Sequence, residues 1–237
     1  MRPRQSPGRP QPRNKQPKPE AIRNYEKEPV STNTIKIPTE APVMVLPNAL
    51  LLPFALLPLT IFEPRYRLLL SHALEHDRMI CISLRRPDFD LDSSDPEAFY
   101  STAGIGLIRA CVQLENGNSN LILQGICRVR ITSLIQEIPF RSATIHPLPN
   151  EEADALEARA LCARVLELCH ELKDKGTPIP LPIEKQLAAI DDPAALADIV
   201  AHTFIADPFT RQKLLEELSV PSRLRQLITE LQDDLAS

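Results

Sequence analysis

The stretch GIGLIRACVQLENGNSNLILQGICRVRITSLI, residues 104–135, has the clearest structural pattern in the chain. Two runs of aliphatic and β-branched residues flank Asn116-Gly117, a dipeptide suited to the positive φ angles of a tight turn. Apolar residues continue to alternate with polar ones along the second run. The stretch therefore predicts a long β-hairpin.

The segments on either side of this hairpin also favour strands. They are VMVLP at 43–47, LLPFALLPLTIF at 51–62, RMICISLR at 78–85 and FRSATIHPL at 140–148. Proline cannot donate a ladder hydrogen bond, so the proline-containing segments must be edge, bulged or bent strands. One helix is expected after Pro64. About six strands with one inserted helix predict a small, proline-bent β-barrel.

From residue 150 the apolar period becomes helical. Asn150 is expected to cap a long helix that ends at Gly176. One face of this helix repeats apolar residues at the spacing of a buried stripe, namely Leu161, Val165, Leu168 and Leu172. Asp192-Pro193 and Asp207-Pro208 each combine a cap with a first-turn proline. With a last helix over 219–235, the pattern predicts a bundle of about four helices.

Residues 1–42 differ from the rest in composition. They hold nine of the 24 prolines, and nine Lys or Arg against four Asp or Glu give them a net charge of +5. The remaining residues must carry −9, because the whole chain carries −4. Little apolar surface is available to offset the entropy of ordering, so we expect residues 1–42 to be a disordered basic tail.

Several classes of protein are disfavoured by the sequence. The N-terminal residues lack the apolar core of an export signal, and no apolar run is long enough to span a membrane. The five cysteines include no CxxC pair, which is typical of reduced thiols in a cytoplasmic protein. We therefore expect a cytoplasmic location and no membrane partner.

The order of these elements resembles the N-terminal, substrate-binding domain of Lon proteases. The matching segments are VMVLPNALLLPFALLPLTIFEPRYRLLL, STAGIGLIRACVQLENGNSNLILQGICRVRITSLI and DDPAALADIVAHTFIADPFTRQKLLEELSVPSRLRQLI, which span residues 43–232. One departure lies at Pro53-Phe54-Ala55, where many members have Phe-Pro-Gly. Without that glycine, we expect the backbone there not to adopt a positive φ.

The resemblance implies an α+β fold: a β-rich, PUA-like pseudo-barrel over residues 43–149, followed by a helical bundle over 150–237, together one LON-type domain. It also implies binding of polypeptide. A full Lon protease adds an ATPase and a Ser–Lys peptidase, but no segment here fits the GxxxxGK[ST] phosphate loop. We therefore expect a protein that is not an enzyme and that uses no cofactor.

Searching the residues for catalytic or metal chemistry yields little. His72 and His76 are four apart on the expected helix, but the order H-A-L-E-H lacks the glutamate of HExxH and a third ligand. Cys162 and Cys169 lie seven apart on the long helix, roughly 10 Å along its axis, too far for one zinc. We predict no metal site and no catalytic residue.

The stretch LLPLTIFEPRYRLLL, residues 56–70, joins an expected strand to an expected helix. Phe62, Glu63, Arg65 and Tyr66 at this corner admit two interpretations. They build a rigid junction, with Glu63 paired to an arginine, or they edge a peptide-binding surface. In the second case Phe62 and Tyr66 supply apolar contact area and the arginines supply orientation.

Three functional hypotheses follow. The leading one is a non-catalytic module that binds unfolded or exposed polypeptide segments, or docks on a protease or chaperone, in protein quality control or as an adaptor. Strand addition at an open barrel edge is one route. The alternative is an RNA-associated PUA-like protein using Arg128, Arg130 and the basic tail, against which the acidic body and few aromatics argue. The third is an unrecognised hydrolase. The sequence leaves the oligomeric state undetermined.

Overall fold

A computed structural model describes residues 35–90, 95–151 and 154–236 of the chain. Its strands are β1 Glu40–Leu46, β2 Leu56–Ile61, β3 Met79–Leu84, β4 Thr102–Gln113, β5 Ser119–Gln136 and β6 Arg141–Leu148. Its helices are α1 Pro64–Glu75, α2 Ala155–Asp174, α3 Leu181–Leu187, α4 Pro193–Phe204, α5 Pro208–Glu216 and α6 Val220–Ala236. The predicted α+β class is confirmed. Most of the predicted tail, residues 1–34, lies outside the described residues, and β1 begins within its last three.

The predicted hairpin is formed by β4 and β5. Their antiparallel register runs from Thr102 opposite Arg130 to Gln113 opposite Ser119. At the tip, Gly117 has a φ of 78° and the Asn116 side chain accepts a hydrogen bond from the backbone N–H of Asn118 at 3.0 Å. Asn116-Gly117 therefore forms the tight turn that the sequence predicts.

The length of β5 allows the sheet to close on itself. Its first half pairs with β2 on one side and β4 on the other, and its second half pairs with β4 and then with β6. Pairing therefore runs from β5 through β4, β3, β1 and β6 back to β5, all antiparallel except β1 with β3. β2 stands outside this ring, as an additional strand on the first half of β5.

The segment between β1 and β2 lies against glycines of the hairpin. The strand predicted over 51–62 begins only at Leu56, because the preceding residues pack across β4 and β5 instead. A Cβ at Gly104 would lie 1.8 Å from the carbonyl oxygen of Leu51, and one at Gly125 would lie 2.0 Å from that of Leu52. Only glycine permits this close approach of two backbones.

The expectation that residues 53–55 avoid a positive φ is wrong. Phe54 has a φ of 64°, although it is not glycine. Its N–H donates to the carbonyl of Gly125 at 2.9 Å, and the N–H of Gly125 donates to the carbonyl of Ala55 at 2.9 Å. These two bonds to β5 hold the turn in a conformation that a β-carbon disfavours.

Helix α1 covers one side of the sheet. It is the crossover connection that parallel strands such as β1 and β3 require. Its buried residues are Tyr66, Leu69, Leu70 and Ala73. They form one core cluster with inward-facing residues of β1 to β5, so α1 covers this side of the sheet.

The C-terminal residues form a bundle of five helices, where about four were predicted. Asp192 and Asp207 cap α4 and α5 as expected, accepting hydrogen bonds from the N–H groups of Ala194 and Thr210. The cap of α2 is Asp154, so the prediction of Asn150 is wrong. The Asn150 side chain instead accepts a hydrogen bond from Arg223, 73 residues away.

Candidate functional site

The corner between β2 and α1 is held by an ion pair. Glu63 precedes the first helical residue, Pro64, and its carboxylate accepts from Arg65 rather than from the helix N-terminus. Both Nε and Nη2 of Arg65 lie 2.9 Å from Glu63 Oε2. Arg67 reaches the other way, donating to Asn118 Oδ1 at 2.8 Å in the β4–β5 turn. The charged side chains therefore fix the helix start against its surroundings.

The two aromatic residues of the corner have different environments. Tyr66 is 9% exposed, and its hydroxyl donates to the carbonyl of Val45 at 2.9 Å. Burial raises its pKa, and the Arg65 guanidinium, 4.8 Å from the ring centroid, works in the opposite direction. Phe62 is 60% exposed. Phe62 therefore presents nearly all of the apolar contact area expected from these two residues, because the ring of Tyr66 is buried in the core.

The outer face of β2, β5 and β4 is largely apolar and uncovered. The registers place Pro58 beside Ile122, and Ile122 beside Ala110. The next row is Thr60, Asn120 and Val112, in which Thr60 donates to the Asn120 side chain at 3.0 Å. We call the exposed set Leu56, Pro58, Thr60, Ala110, Val112, Asn120 and Ile122 the outer face.

Three apolar side chains of the outer face expose a large fraction of their surface. Val112 is 60% exposed, Leu56 54% and Ile122 39%. A shallow concavity of about 340 Å³ lies between the rows. Because β2 alternates outward and inward residues, Phe62 continues the outward series of Leu56, Pro58 and Thr60. The predicted corner and the outer face thus form neighbouring parts of one surface.

The outer face was not identified from the sequence, although a signal was present. β2 reads LLPLTI and is apolar at nearly every position, whereas an edge strand that covers a core is expected to alternate. The inward residues of β2 pack against α1. No helix of the described residues packs against the outward ones, and Leu56 among them is exposed. An unbroken apolar run in an edge strand was the available clue.

The RNA alternative loses one of its proposed phosphate contacts. Arg128 is 2% exposed, and its Nη1 and Nη2 donate to the two carboxylate oxygens of Asp198 at 2.8 and 2.5 Å. Its Nε donates to the carbonyl of Leu215 at 2.9 Å. The prediction that Arg128 faces phosphate is wrong, since the helical bundle covers it. Arg130 is exposed, as the alternative requires.

The remaining candidates for chemistry are dispersed. The rings of His72 and His76 stack with centroids 4.1 Å apart, and His76 Nδ1 lies 2.7 Å from the carbonyl oxygen of His72. Within the described ranges, no three His, Cys, Asp or Glu side chains group as metal ligands would. Burial raises the pKa of Cys81 and of Cys169 to about 12, so both thiols are protonated at neutral pH.

Comparison with known protein families identifies the family that has this architecture. A family described as the ATP-dependent protease La (LON) substrate-binding domain matches residues 40–233. The chain belongs to this family. The LON domain begins with the first residue of β1 and ends within α6, so it contains the outer face, the corner and the bundle.

Curated relatives are longer proteins. The chain is 25% identical over 202 residues to a Lon protease of Desulfosudis oleivorans, which covers 85% of this chain and 25% of the relative. It is 27% identical over 188 residues to the Lon protease of Trichlorobacter lovleyi, covering 79% of this chain and 23% of that protein. The chain therefore spans about a quarter of the length of these relatives.

Solved structures share the fold. The N-terminal domain of a Mycobacterium avium complex Lon protease matches with a TM-score of 0.65 at 22% identity, covering 82% of this chain and 98% of that one. A Lon N-terminal domain protein from Xanthomonas campestris matches with a TM-score of 0.55 at 20% identity, covering 81% of this chain and 98% of that one.

Among the helices described here, none has both the length and the apolar character to cross a bilayer.

Proposed function

We propose that this LON domain is a non-catalytic module that binds exposed apolar segments of other polypeptides on the outer face and Phe62. The observation that carries the proposal is the uncovered apolar surface of β2, β5 and β4. A folded chain gains free energy by burying such residues, so an apolar patch left in water favours an interaction site. Membership of a substrate-binding family makes polypeptide the expected ligand.

Contact through side chains is better supported than strand addition. Among the described strands, β2 pairs only with β5, so no strand occupies its other edge. Pro58 lies in the middle of that edge and has no N–H to offer an added strand. An edge with a missing donor is a common defence against strand pairing. The face of the strand is the more favourable surface.

The corner would then define one end of the bound segment. Phe62 supplies apolar contact, and the Glu63–Arg65 pair forms a charged rim beside it. Tyr66 holds the helix against β1 through Val45 and so keeps the rim in place. In this arrangement the same four residues act both as a junction and as the border of the binding surface.

The role in the cell follows from the ligand. A module that binds exposed apolar segments selects unfolded or damaged chains, because folded proteins bury such segments. It would serve protein quality control directly, or as an adaptor that presents its ligand to a protease or chaperone partner.

The test uses a permanently unfolded protein, reduced and alkylated, carrying a fluorescent label. Binding is measured by anisotropy for the unmodified chain, Val112→Asp, Ile122→Asp and the control Ile135→Asp. Ile135 is 50% exposed on the other half of β5, so it matches Ile122 in residue type and in strand. We expect Kd to rise at least about tenfold for the two outer-face variants.

The control should bind within about twofold of the unmodified chain. Circular dichroism and thermal melting verify that each variant is folded. Equal affinity for all four proteins, or complete absence of binding by the unmodified chain, would refute the proposal.

A further inference from the structure

Arg109 occupies a β-bulge at the border of the outer face. In the β4–β5 register Ile108 lies opposite Leu123 and Ala110 opposite Ile122, which leaves Arg109 as the extra residue. A bulge re-aims the side chain of its extra residue and is often found beside functional sites. Arg109 therefore does not follow the alternation of its own strand.

The side chain of Arg109 is directed by a polar neighbour. Its Nε donates to Oε1 of Gln124 at 2.5 Å, and Gln124 lies opposite Leu56 in the β2–β5 register. Since Gln124 follows the inward-facing Leu123, it points outward. The guanidinium is thus held on the outward side of the sheet, at the Leu56 end of the apolar rows.

Arg109 is the one charged residue in the strand stretches that form the outer face. The stretches 56–61, 107–113 and 119–124 contain no other Asp, Glu, Lys or Arg. No carboxylate of the described residues forms an ion pair with it. A polypeptide covering these three strands would therefore bring its own charged residues against the one charge that the strands carry.

We propose that Arg109 selects apolar segments that carry an aspartate or glutamate, with the carboxylate bound by its guanidinium while apolar side chains cover Pro58, Val112 and Ile122. This inference rests on the proposed function and specifies its ligand class. A guanidinium presents two parallel N–H groups that match a carboxylate, and it repels a lysine or arginine at the same place.

The geometry sets the spacing expected in the ligand. The guanidinium of Arg109 is held by Gln124, and Val112 lies opposite Asn120, four residues away along β5, or roughly 14 Å at about 3.4 Å per residue of strand. An extended ligand spans that distance with about four residues. The acidic residue should therefore lie about four residues from the side chain that covers Val112.

The experiment uses three apolar peptides that are identical except for one position, occupied by Asp, Asn or Lys. Their Kd values are measured with the unmodified chain, Arg109→Gln, Arg109→Glu, Ile122→Asp and the control Arg130→Glu. Arg130 is exposed on the second half of β5, so its reversal changes net charge equally. Melting curves establish that each variant is folded.

For the unmodified chain we expect affinity to fall in the order Asp, Asn, Lys, with steps of about 1.5- to 5-fold, the range for a partly exposed ion pair. The differences should shrink between 0.05 and 0.5 M salt, values chosen to span the screening range. Arg109→Gln should equalise the three peptides, and Arg109→Glu should reverse the order. Arg130→Glu should preserve it.

Two failures are distinguishable. If Ile122→Asp weakens all three peptides but Arg109→Glu leaves their order unchanged, the selective role of Arg109 is refuted and the outer face stands. If Ile122→Asp leaves every affinity unchanged, the outer face itself is not the binding surface.

Discussion

The guanidinium of Arg128 on β5 and the carboxylate of Asp198 on α4 form a two-point ion pair, with both partners removed from solvent. Arg223 on α6 lies 3.6 Å from the same carboxylate, and its Nη1 and Nη2 donate to the Glu217 carbonyl and to Asn150. Burial lowers the pKa of Arg223 to about 10, and the Asp198 charge opposes this shift. One carboxylate thus ties the barrel to two helices of the bundle.

Asp198→Asn should strongly destabilise the protein. Two buried guanidinium groups would lose the carboxylate that both of them face, and an uncompensated buried charge costs about 3–5 kcal/mol. The free energy of unfolding, measured in urea, should fall by that amount. Arg164→Ala is the control, since its ion pairs with Glu167 and Glu171 are exposed, and it should barely move the midpoint. Similar midpoints for both variants would contradict this account.

Gly125→Ala should disrupt the contact between β5 and the segment that precedes β2. The added Cβ would lie 2.0 Å from the carbonyl oxygen of Leu52, and backbone atoms cannot yield as a side chain can. We expect the free energy of unfolding to drop by about 3 kcal/mol, the upper end of the usual range for overpacking. Gly117→Asn, at a turn position with positive φ that asparagine tolerates, should cost less than about 1 kcal/mol. Tolerance of Gly125→Ala would show that the segment is not packed as described.

Tyr66→Phe and Phe62→Ser should separate stability from binding. Removing the Tyr66 hydroxyl deletes its bond to Val45, so the free energy of unfolding should fall by about 1 kcal/mol. Phe62→Ser should leave stability nearly unchanged and weaken binding of the unfolded protein severalfold, because the ring is largely in solvent. Thermal melts and anisotropy measure the two effects. If Tyr66→Phe weakened binding and Phe62→Ser lowered stability instead, Tyr66 would belong to the binding surface.

His202 should make stability depend on pH. Burial lowers its pKa in the folded chain, Arg211 lowers it further, and a hydrogen bond to the backbone of Leu56 opposes both. The unfolded chain therefore binds a proton first as pH falls through about 6.5, which favours unfolding. His202→Gln should reduce the loss of stability between pH 7.5 and 5.5, two values chosen to bracket that transition.

The exposed His146 provides the matched control for this measurement. Urea midpoints of His146→Gln should follow those of the unmodified chain at both pH values. If His202→Gln shows the same pH dependence as His146→Gln, His202 is not the group responsible.

The sequence by itself determined the features that depend on neighbouring residues. Asn116-Gly117 specified the β4–β5 turn, and Asp192-Pro193 specified the start of α4. Cap and turn residues act within three or four positions, so their effect can be read from a short stretch. The stripe of α2 could be read for the same reason, because its period of 3.6 is a local property.

Only the tertiary structure decided what depends on distant partners. Phe54 adopts a positive φ because Gly125 holds it, and Arg128 is buried because Asp198, 70 residues later, neutralises it. The outer face exists because α1 covers the opposite side of β2 and nothing described covers this one. Local propensity cannot specify any of these, since each arises from groups brought together only when the barrel closes and the bundle packs against it.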